Sequence, residues 1–371
     1  MRLPPNPVTA VILPPNEGFG PGRSGAIGLI AHRLAIGIED FRTVVFCGPQ
    51  QGAAYPDVIT RPSDPVRWMP GTVNLKFAAR LLGQLRRLRP DIIEVHNRVG
   101  IALALSALMR PTPVVLVLHN DPQAMRHSRT ARERAVVLRR VARVVTVSEY
   151  LRGRLLEGVA APDRAPAVIP NCLDLSSLPT PRPRERLVLF VGRMVAEKGP
   201  DAFVRGCAGA LPWLPGWRAE MIGADRSRAD SPDTPFVEAV RAAAEAAGVA
   251  MMGYRDHPAV LAAMARAAIV VVPSRWPEPF GLVALEAMAS GAALICSRLG
   301  GLPEVGGDAA LYIDPSDPAT MATAIRDLAG DAARRQALVQ AGRMRAAEFD
   351  LPVIAPRWTA LRREVIATAG S

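Results

Sequence analysis

The segment Val191-Gly192-Arg193-Met194-Val195-Ala196-Glu197-Lys198-Gly199 puts two cations five residues apart, directly after an apolar run that reads as a buried strand. Arginine offers a planar fork that fits phosphate oxygens and lysine a compact point charge, so the pair suits a clamp on a diphosphate. Lysine is scarce in this chain: Lys76 and Lys198 are the only two among 45 basic residues. A solvated charged loop reads the same stretch equally well, but it has to account for one of those two lysines. A second segment, Pro273-Ser274-Arg275-Trp276-Pro277-Glu278-Pro279-Phe280-Gly281-Leu282, holds Glu278 between two prolines. Each proline forces the residue before it out of the helical region, so Glu278 is expected on a rigid, extended loop. A helix can start only after Pro279, near Gly281, and is expected to stop at Gly291; its first N–H groups, around Gly281 and Leu282, favour an anion. Glu286 falls one to two turns inside that otherwise apolar helix. A carboxylate there needs donors, which the vicinal hydroxyls of a sugar would supply and a salt bridge or cap equally could.

The elements that must position these groups alternate regularly. Strands are expected at Val8–Leu13, Thr43–Phe46, Ile92–His96, Val114–His119, Val144–Val147 and Ala167–Ile169. Helix-like stretches separate them at Gly25–Gly37, Lys76–Arg89, Gly100–Met109, Thr130–Val141 and Glu149–Leu156. Such alternation reads as βαβ units on a parallel sheet. The run Leu178-Pro179-Thr180-Pro181-Arg182-Pro183 breaks it, because three prolines in five residues suit neither a helix nor a central strand. The pattern restarts with strands at Leu187–Val191, Arg218–Ile222, Ala250–Met252, Ile269–Val272, Ala293–Cys296 and Ala310–Ile313. Helices are expected between them at Thr234–Ala247, Pro258–Ala265, Leu282–Ser290 and Thr320–Leu328. The reading is α/β, with two Rossmann-like, doubly wound domains at 1–180 and 181–350. Ligands of such sheets bind beyond the carboxyl ends of the strands, so a cleft between facing domains is expected.

Composition bounds the function. The chain has 371 residues, 49% apolar and 21% charged, which excludes disorder as its main state. No apolar run approaches the ~18–20 residues of a membrane span, and Met1-Arg2-Leu3-Pro4-Pro5 lacks a cleavable signal pattern. Cys47, Cys172, Cys207 and Cys296 lie far apart without a CxxC pair, which favours a reducing cytoplasm over a disulfide framework or a zinc site. The net charge is +11, and it is uneven: residues 1–180 contribute +10 and residues 181–371 only +1. That asymmetry points to an anionic partner surface, lipid or nucleic acid, unless it reflects a generally basic proteome. No basic recognition helix is evident and only 5% of residues are aromatic, so nucleic acid is the poorer choice. Arg-rich stretches such as Arg126–Arg143 suggest peripheral docking on the inner face of the cytoplasmic membrane.

Glu278 and Glu286 form E-x7-E in the setting E-P-F-G-L-V-A-L-E-A-M-A-S-G. With the upstream V-G-R-x4-K-G and the downstream Gly300-Gly301-Leu302-Pro303-Glu304, this region resembles the retaining GT-B glycosyltransferases of family 4, of the E-x7-E, group 1 type. The resemblance runs through most of residues 187–320. It implies transfer of a sugar from a nucleoside-diphosphate sugar to a hydroxyl acceptor, either a glycan or a lipid-linked glycan in polysaccharide or lipopolysaccharide synthesis. It also implies that Arg193 and Lys198 hold the donor diphosphate, that Glu286 takes the ribose hydroxyls and that Glu278 contacts the transferred sugar. The backbone of Phe280, Gly281 and Leu282 would then lie near the phosphates.

The first half is similar more loosely. His119, in His119-Asn120-Asp121-Pro122, matches the strand-end histidine that lies beside donor sugar and acceptor, while His96 and Asn97 would line the acceptor side. A neutral imidazole can donate or accept there without adding fixed charge. The stretch Gly18–Gly25 stands where the family has a Gly-Gly loop opening the first helix, with Ser24-Gly25 in place of the glycine pair. Gly22, Ser24 and Gly25 are the candidates for close backbone approach to phosphate or acceptor. The same residues read as a G-x-G-x-x-G dinucleotide fingerprint, though no acidic residue ends the strand Thr43–Phe46. The closing stretch 351–371 is expected to be a helix crossing back to the first domain, with Trp358 as its anchor.

No D-x-D element is placed like a metal site, so a metal-independent reaction is expected, in which cations and helix N–H groups stabilise the departing diphosphate. No carboxylate stands out as a nucleophile, which favours front-face departure; double displacement remains open. A nucleotide-sugar epimerase or a soluble disaccharide synthase of the same fold would read alike.

Overall fold

The computed structural model describes residues 6–49, 52–66, 70–180, 183–226 and 233–369; Met1–Pro5 and the linker residues Pro181 and Arg182 lie outside them. The chain divides into two compact units. The first runs to Leu173 and takes in the last helix from Leu351; the second spans Asp174–Asp350. The change of unit thus comes before the expected boundary at 180/181. Asp174 caps a short turn, Leu175–Ser177, and the Leu175 N–H donates to the Asp350 carboxylate at 3.0 Å, which ties this stretch to the second unit.

The first unit holds β1 (Val8–Ile12), β2 (Arg42–Cys47), β3 (Ile59–Pro62), β4 (Ile92–His96), β5 (Val114–Leu118), β6 (Arg143–Thr146) and β7 (Ala167–Val168). All pairings are parallel, in the order β3-β2-β1-β4-β5-β6-β7. The second unit holds β8 (Glu185–Val191), β9 (Arg218–Ile222), β10 (Val249–Met251), β11 (Ala267–Val272), β12 (Ala293–Ser297) and β13 (Ala310–Ile313), ordered β10-β9-β8-β11-β12-β13. Strand order reverses between β1 and β4 and between β8 and β11, and such switch points are where doubly wound sheets open a crevice at their carboxyl ends.

Alternation along the strands separates two faces. On the first sheet, Ala10, Ile12, Phe46, Ile93, Val95, Leu116 and Val144 turn to one side and join Phe77, Leu81, Leu105 and Val137 in an apolar core. The other side carries polar groups, among them Thr9, Thr43, Glu94 and His96. There the last helix, Leu351–Ala369, buries Trp358 and Arg362. Arg362 grips Glu94 through two bonds of 2.8 and 3.0 Å, with both side chains about 1% exposed.

The edge strand β3 was not expected: Ile59-Thr60-Arg61-Pro62 is short, largely exposed and ends in proline. The helices Pro200–Ala210 and Ala332–Ala347 also escape sequence patterning, the first holding two glycines and the second being mostly Ala and Arg. No helix among the described residues is long and apolar enough to cross a membrane. The four cysteines are buried and none is in a disulfide.

Candidate active site

The switch point of the second sheet brings the loops after β8 and β11 together. Beyond Val191, the Gly192 and Met194 N–H groups donate to Ile222 and Ala224 carbonyls at 3.1 and 2.9 Å, so the loop continues beside the chain leaving β9. Arg193 is exposed on it. A single turn, Ala196–Lys198, ends at Gly199, which has φ 69° and starts the helix Pro200–Ala210. A Cβ on Gly199 would stand 2.2 Å from the Pro273 carbonyl oxygen, so only glycine lets the two loops close. The Glu197 carbonyl then accepts from the Arg275 and Trp276 N–H groups at 2.8 and 3.2 Å. The Arg275 guanidinium straddles Asp201 with two bonds of 2.8 Å. Two loops far apart in sequence are thereby joined through backbone and side chain together.

At that junction Lys198 Nζ lies 2.6 Å from Glu278 Oε1, and the Ser274 hydroxyl donates to the same oxygen. Glu278 is 8% exposed. Its backbone is fixed as well: it bridges to Gly300, and the Gly301 N–H donates to its carbonyl at 2.6 Å. A Cβ on Gly300, at φ 64°, would stand 2.3 Å from that carbonyl oxygen, which explains a glycine there. Phe280 is buried edge-on against Phe349, with centroids 5.7 Å apart, and so anchors the loop. Gly281 turns the chain at φ 104° and caps the helix Leu282–Ala289, whose start agrees with the expectation set by Pro279.

Glu286 sits on that helix at 3% exposure, and His257 Nε2 lies 2.7 Å from its Oε1. His257 opens the helix His257–Arg266 behind the Asp256 cap. Sequence reading missed His257, Ser274, Asp201 and the role of Arg275. The signals available were weak: a histidine before a proline at a helix start, and a serine four residues ahead of Glu278.

In the first unit, the loop after β1 reaches the helix Ala26–Gly37 through Gly22 (φ 68°), Ser24 and the N-cap Gly25. The Ser24 side chain is engaged within its own turn, accepting from the Gly20 N–H at 3.1 Å. Glu17, unnoticed in the sequence, accepts from the Gly28 N–H at 3.2 Å and so occupies the helix start with a carboxylate of the chain's own. Burial pushes the Glu17 carboxyl up, opposed by bonds from the Gly28 and Gly25 N–H groups and by the nearby Arg98. At the ends of β4 and β5, His96 Nδ1 and His119 Nε2 are 2.9 Å apart with their rings stacked. Asn97, at φ 54°, accepts the His119 backbone N–H at 2.7 Å. Burial drives the His96 pKa down to about 3, helped by Arg362, and holds His119 well below its ordinary value. Among the described residues, no three His, Cys, Asp or Glu side chains gather into a potential metal site.

The model of "Glycosyl transferases group 1" matches residues 179–345, and that of "Glycosyltransferase Family 4" matches residues 30–177. Glycogen synthase of Mycobacterium tuberculosis is 31% identical over 295 residues, which cover 74% of this chain and 69% of that one. Among solved structures, sucrose-phosphate synthase of Thermosynechococcus elongatus superposes with a TM-score of 0.77 at 21% identity, covering 97% of this chain and 99% of that one. Anabaena HepE in complex with UDP-glucose gives 0.75 at 18% identity, covering 97% and 99%. Both are GT-B folds, and this chain shares that architecture.

Proposed function

The chain belongs to the group 1 glycosyltransferases of family 4, and from that premise we propose that it moves a sugar from a nucleoside-diphosphate sugar to a hydroxyl acceptor with retention of configuration. The observation that carries this reading is the switch point of the second sheet, where Lys198, Ser274 and Glu278 meet on loops locked by Gly199, Arg275 and Gly300. In the proposed reaction Arg193 and Lys198 take the donor diphosphate, with the backbone of Phe280, Gly281 and Leu282 beside it. Glu286, braced by His257, takes the ribose hydroxyls. Glu278 takes hydroxyls of the transferred sugar. His119 hydrogen-bonds a sugar hydroxyl at the end of β5, and the loop of Gly22, Ser24 and Gly25 belongs to the acceptor side.

The bond from the anomeric carbon to the phosphate oxygen breaks while the acceptor oxygen bonds to the same face. The acceptor proton passes to the departing phosphate oxygen. Charge growing on the leaving diphosphate is met by preorganised cations and N–H groups, so no metal or other cofactor is required in this reading. The acceptor is a glycan or lipid-linked glycan of a cell-surface polysaccharide, handled on the cytoplasmic side, and no nucleic acid takes part.

The test is a thermal-shift panel of UDP-, GDP-, ADP- and TDP-sugars, followed by mass spectrometry and anomeric analysis of products on candidate acceptors. UDP-glucose is the first donor to try, since the HepE structure is described with it. A ligand at a hundred times its Kd stabilises by about 2.7 kcal/mol, well within reach of the measurement. Product analysis also separates transfer to a glycan from epimerisation or disaccharide synthesis. Melting temperatures that answer to oligonucleotides and to no nucleoside diphosphate would sink the reading.

One further observation favours a membrane surface as partner. A groove of about 780 Å³ in the first unit is lined by Arg110, Arg139, Arg140 and Arg164, all exposed. None of the four has an ion pair among the described residues. We propose that these arginines meet anionic lipid headgroups. Arg134 and Arg143, within the same basic stretch, are excluded from that role. Arg134 is buried against the carbonyls of Leu155 and Glu157, and Arg143 is paired with Glu364.

A further inference from the structure

His96 and His119 share one hydrogen bond between two imidazoles that the fold keeps neutral. His96 Nδ1 and His119 Nε2 are 2.9 Å apart, so one of these nitrogens carries the shared proton and the other accepts it. The two arrangements differ at the far ends of the rings. If His119 donates from Nε2, His96 must carry its own proton on Nε2. That atom is buried and has no partner. A buried N–H without an acceptor is the costlier kind of orphan, and here it would also point its positive end into the field of Arg362. Arg362 is itself buried, with Nε and Nη2 held by Glu94 and Nη1 without a partner. If His96 donates from Nδ1 instead, its Nε2 presents a lone pair to the same surroundings, which a neighbouring guanidinium favours.

The geometry points to the second arrangement. We propose that His96 is a positioning residue, whose Nδ1–H fixes the opposing ring as the tautomer protonated on Nδ1. His119 is therefore left with a single polar atom that is neither used by His96 nor fully buried, its Nδ1–H. Its backbone N–H is already given to Asn97 at 2.7 Å, which holds the residue at the strand end. His119 thus meets a substrate oxygen as a hydrogen-bond donor, and as long as it is neutral it cannot serve there as a base. This rests on the reading of His119 as a sugar contact; the tautomer itself does not.

The experiment is nitrogen-15 NMR of the imidazole rings in the full chain, without substrate. Only five histidines are present, His32, His96, His119, His127 and His257, so His119→Gln and His96→Asn suffice to assign the pair. Both His96 and His119 should show a protonated Nδ1 and a bare Nε2. A protonated Nε2 on His119 overturns the proposal. In His96→Asn the side-chain amide can still donate, and His119 should keep its tautomer and most of its turnover. In His96→Leu the donor is gone and the ring loses the contact that orients it: kcat should fall about tenfold or more, with KM for the nucleotide sugar unchanged. Full turnover in His96→Leu overturns the positioning role, and if that variant does not fold, the spectrum of the natural chain still decides the tautomer. Failure of every nucleoside diphosphate to stabilise the protein would strike the functional reading instead, and the NMR result would stand apart from it.

Discussion

Glu278 owes its place to three separate restraints, drawn from its own loop, from the loop after β8 and from the glycines after β12. Prolines on both sides keep its backbone extended, Gly300 and Gly301 bond that backbone, and Lys198 and Ser274 hold its carboxylate. Lys198 and Glu278 neutralise each other in a half-buried setting, so removing either leaves the other charge with an uncompensated desolvation cost. Their contributions to transfer should therefore not be independent. Lys198→Ala and Glu278→Gln are each expected to lower kcat/KM by roughly 10²–10³. The double variant should be close to the worse single one, since groups that act as a unit are strongly non-additive. Steady-state kinetics on the four proteins, with melting curves to show that the fold persists, make the check. Losses that simply multiply would mean that the 2.6 Å contact is incidental.

The loops, more than the helices, carry the precision of the site, and glycine sets their geometry. Gly199 and Gly22 have nearly the same left-handed φ, 69° and 68°. A Cβ on Gly22 meets nothing within 4 Å, whereas on Gly199 it meets the Pro273 carbonyl at 2.2 Å. Gly22→Ala should accordingly cost about 1 kcal/mol of stability, the left-handed penalty alone. Gly199→Ala should cost distinctly more and should disable transfer by parting Lys198 from Glu278. Equal effects of the two substitutions on denaturation midpoint and turnover would contradict this account. The same contrast explains how much could be read from sequence. Strands such as Ile92–His96 and Arg218–Ile222 announce themselves by apolar runs with β-branched residues, and the helix start after Pro279 follows from local sterics. Glu278 and His119 were visible because each sits at the end of such an element. Their partners were not, because the order of strands in a parallel sheet decides them. Arg275 meets Asp201 across 74 positions and His257 meets Glu286 across 29. Strand β3 is short and exposed, and the helix Pro200–Ala210 is amphipathic but follows directly on a Gly-Pro pair and holds two further glycines, which read as loop punctuation.

At the scale of the whole molecule, the uneven charge is the feature that local structure does not consume. The first 180 residues hold an excess of ten positive charges, and the folded first unit does not neutralise all of them internally. Arg134 and Arg143 are committed to carbonyls and to Glu364, but Arg110, Arg139, Arg140 and Arg164 stay exposed around one groove. A basic residue near an anionic membrane surface contributes about 1 kcal/mol, and the effect fades within a Debye length of ~8–10 Å. Four such residues on one surface are enough to hold a protein reversibly on a bilayer, and the first unit would then face a lipid-linked acceptor. Co-sedimentation with vesicles containing phosphatidylserine should capture the protein at low salt and release it as ionic strength rises. Neutral vesicles should capture little. Replacing two of the four, Arg139→Ser with Arg140→Ser, removes about 2 kcal/mol and should weaken vesicle binding about thirtyfold while leaving nucleotide-dependent stabilisation unchanged. Binding that ignores salt, or that survives the double replacement at full strength, would assign the arginine excess to composition instead of to a docking face.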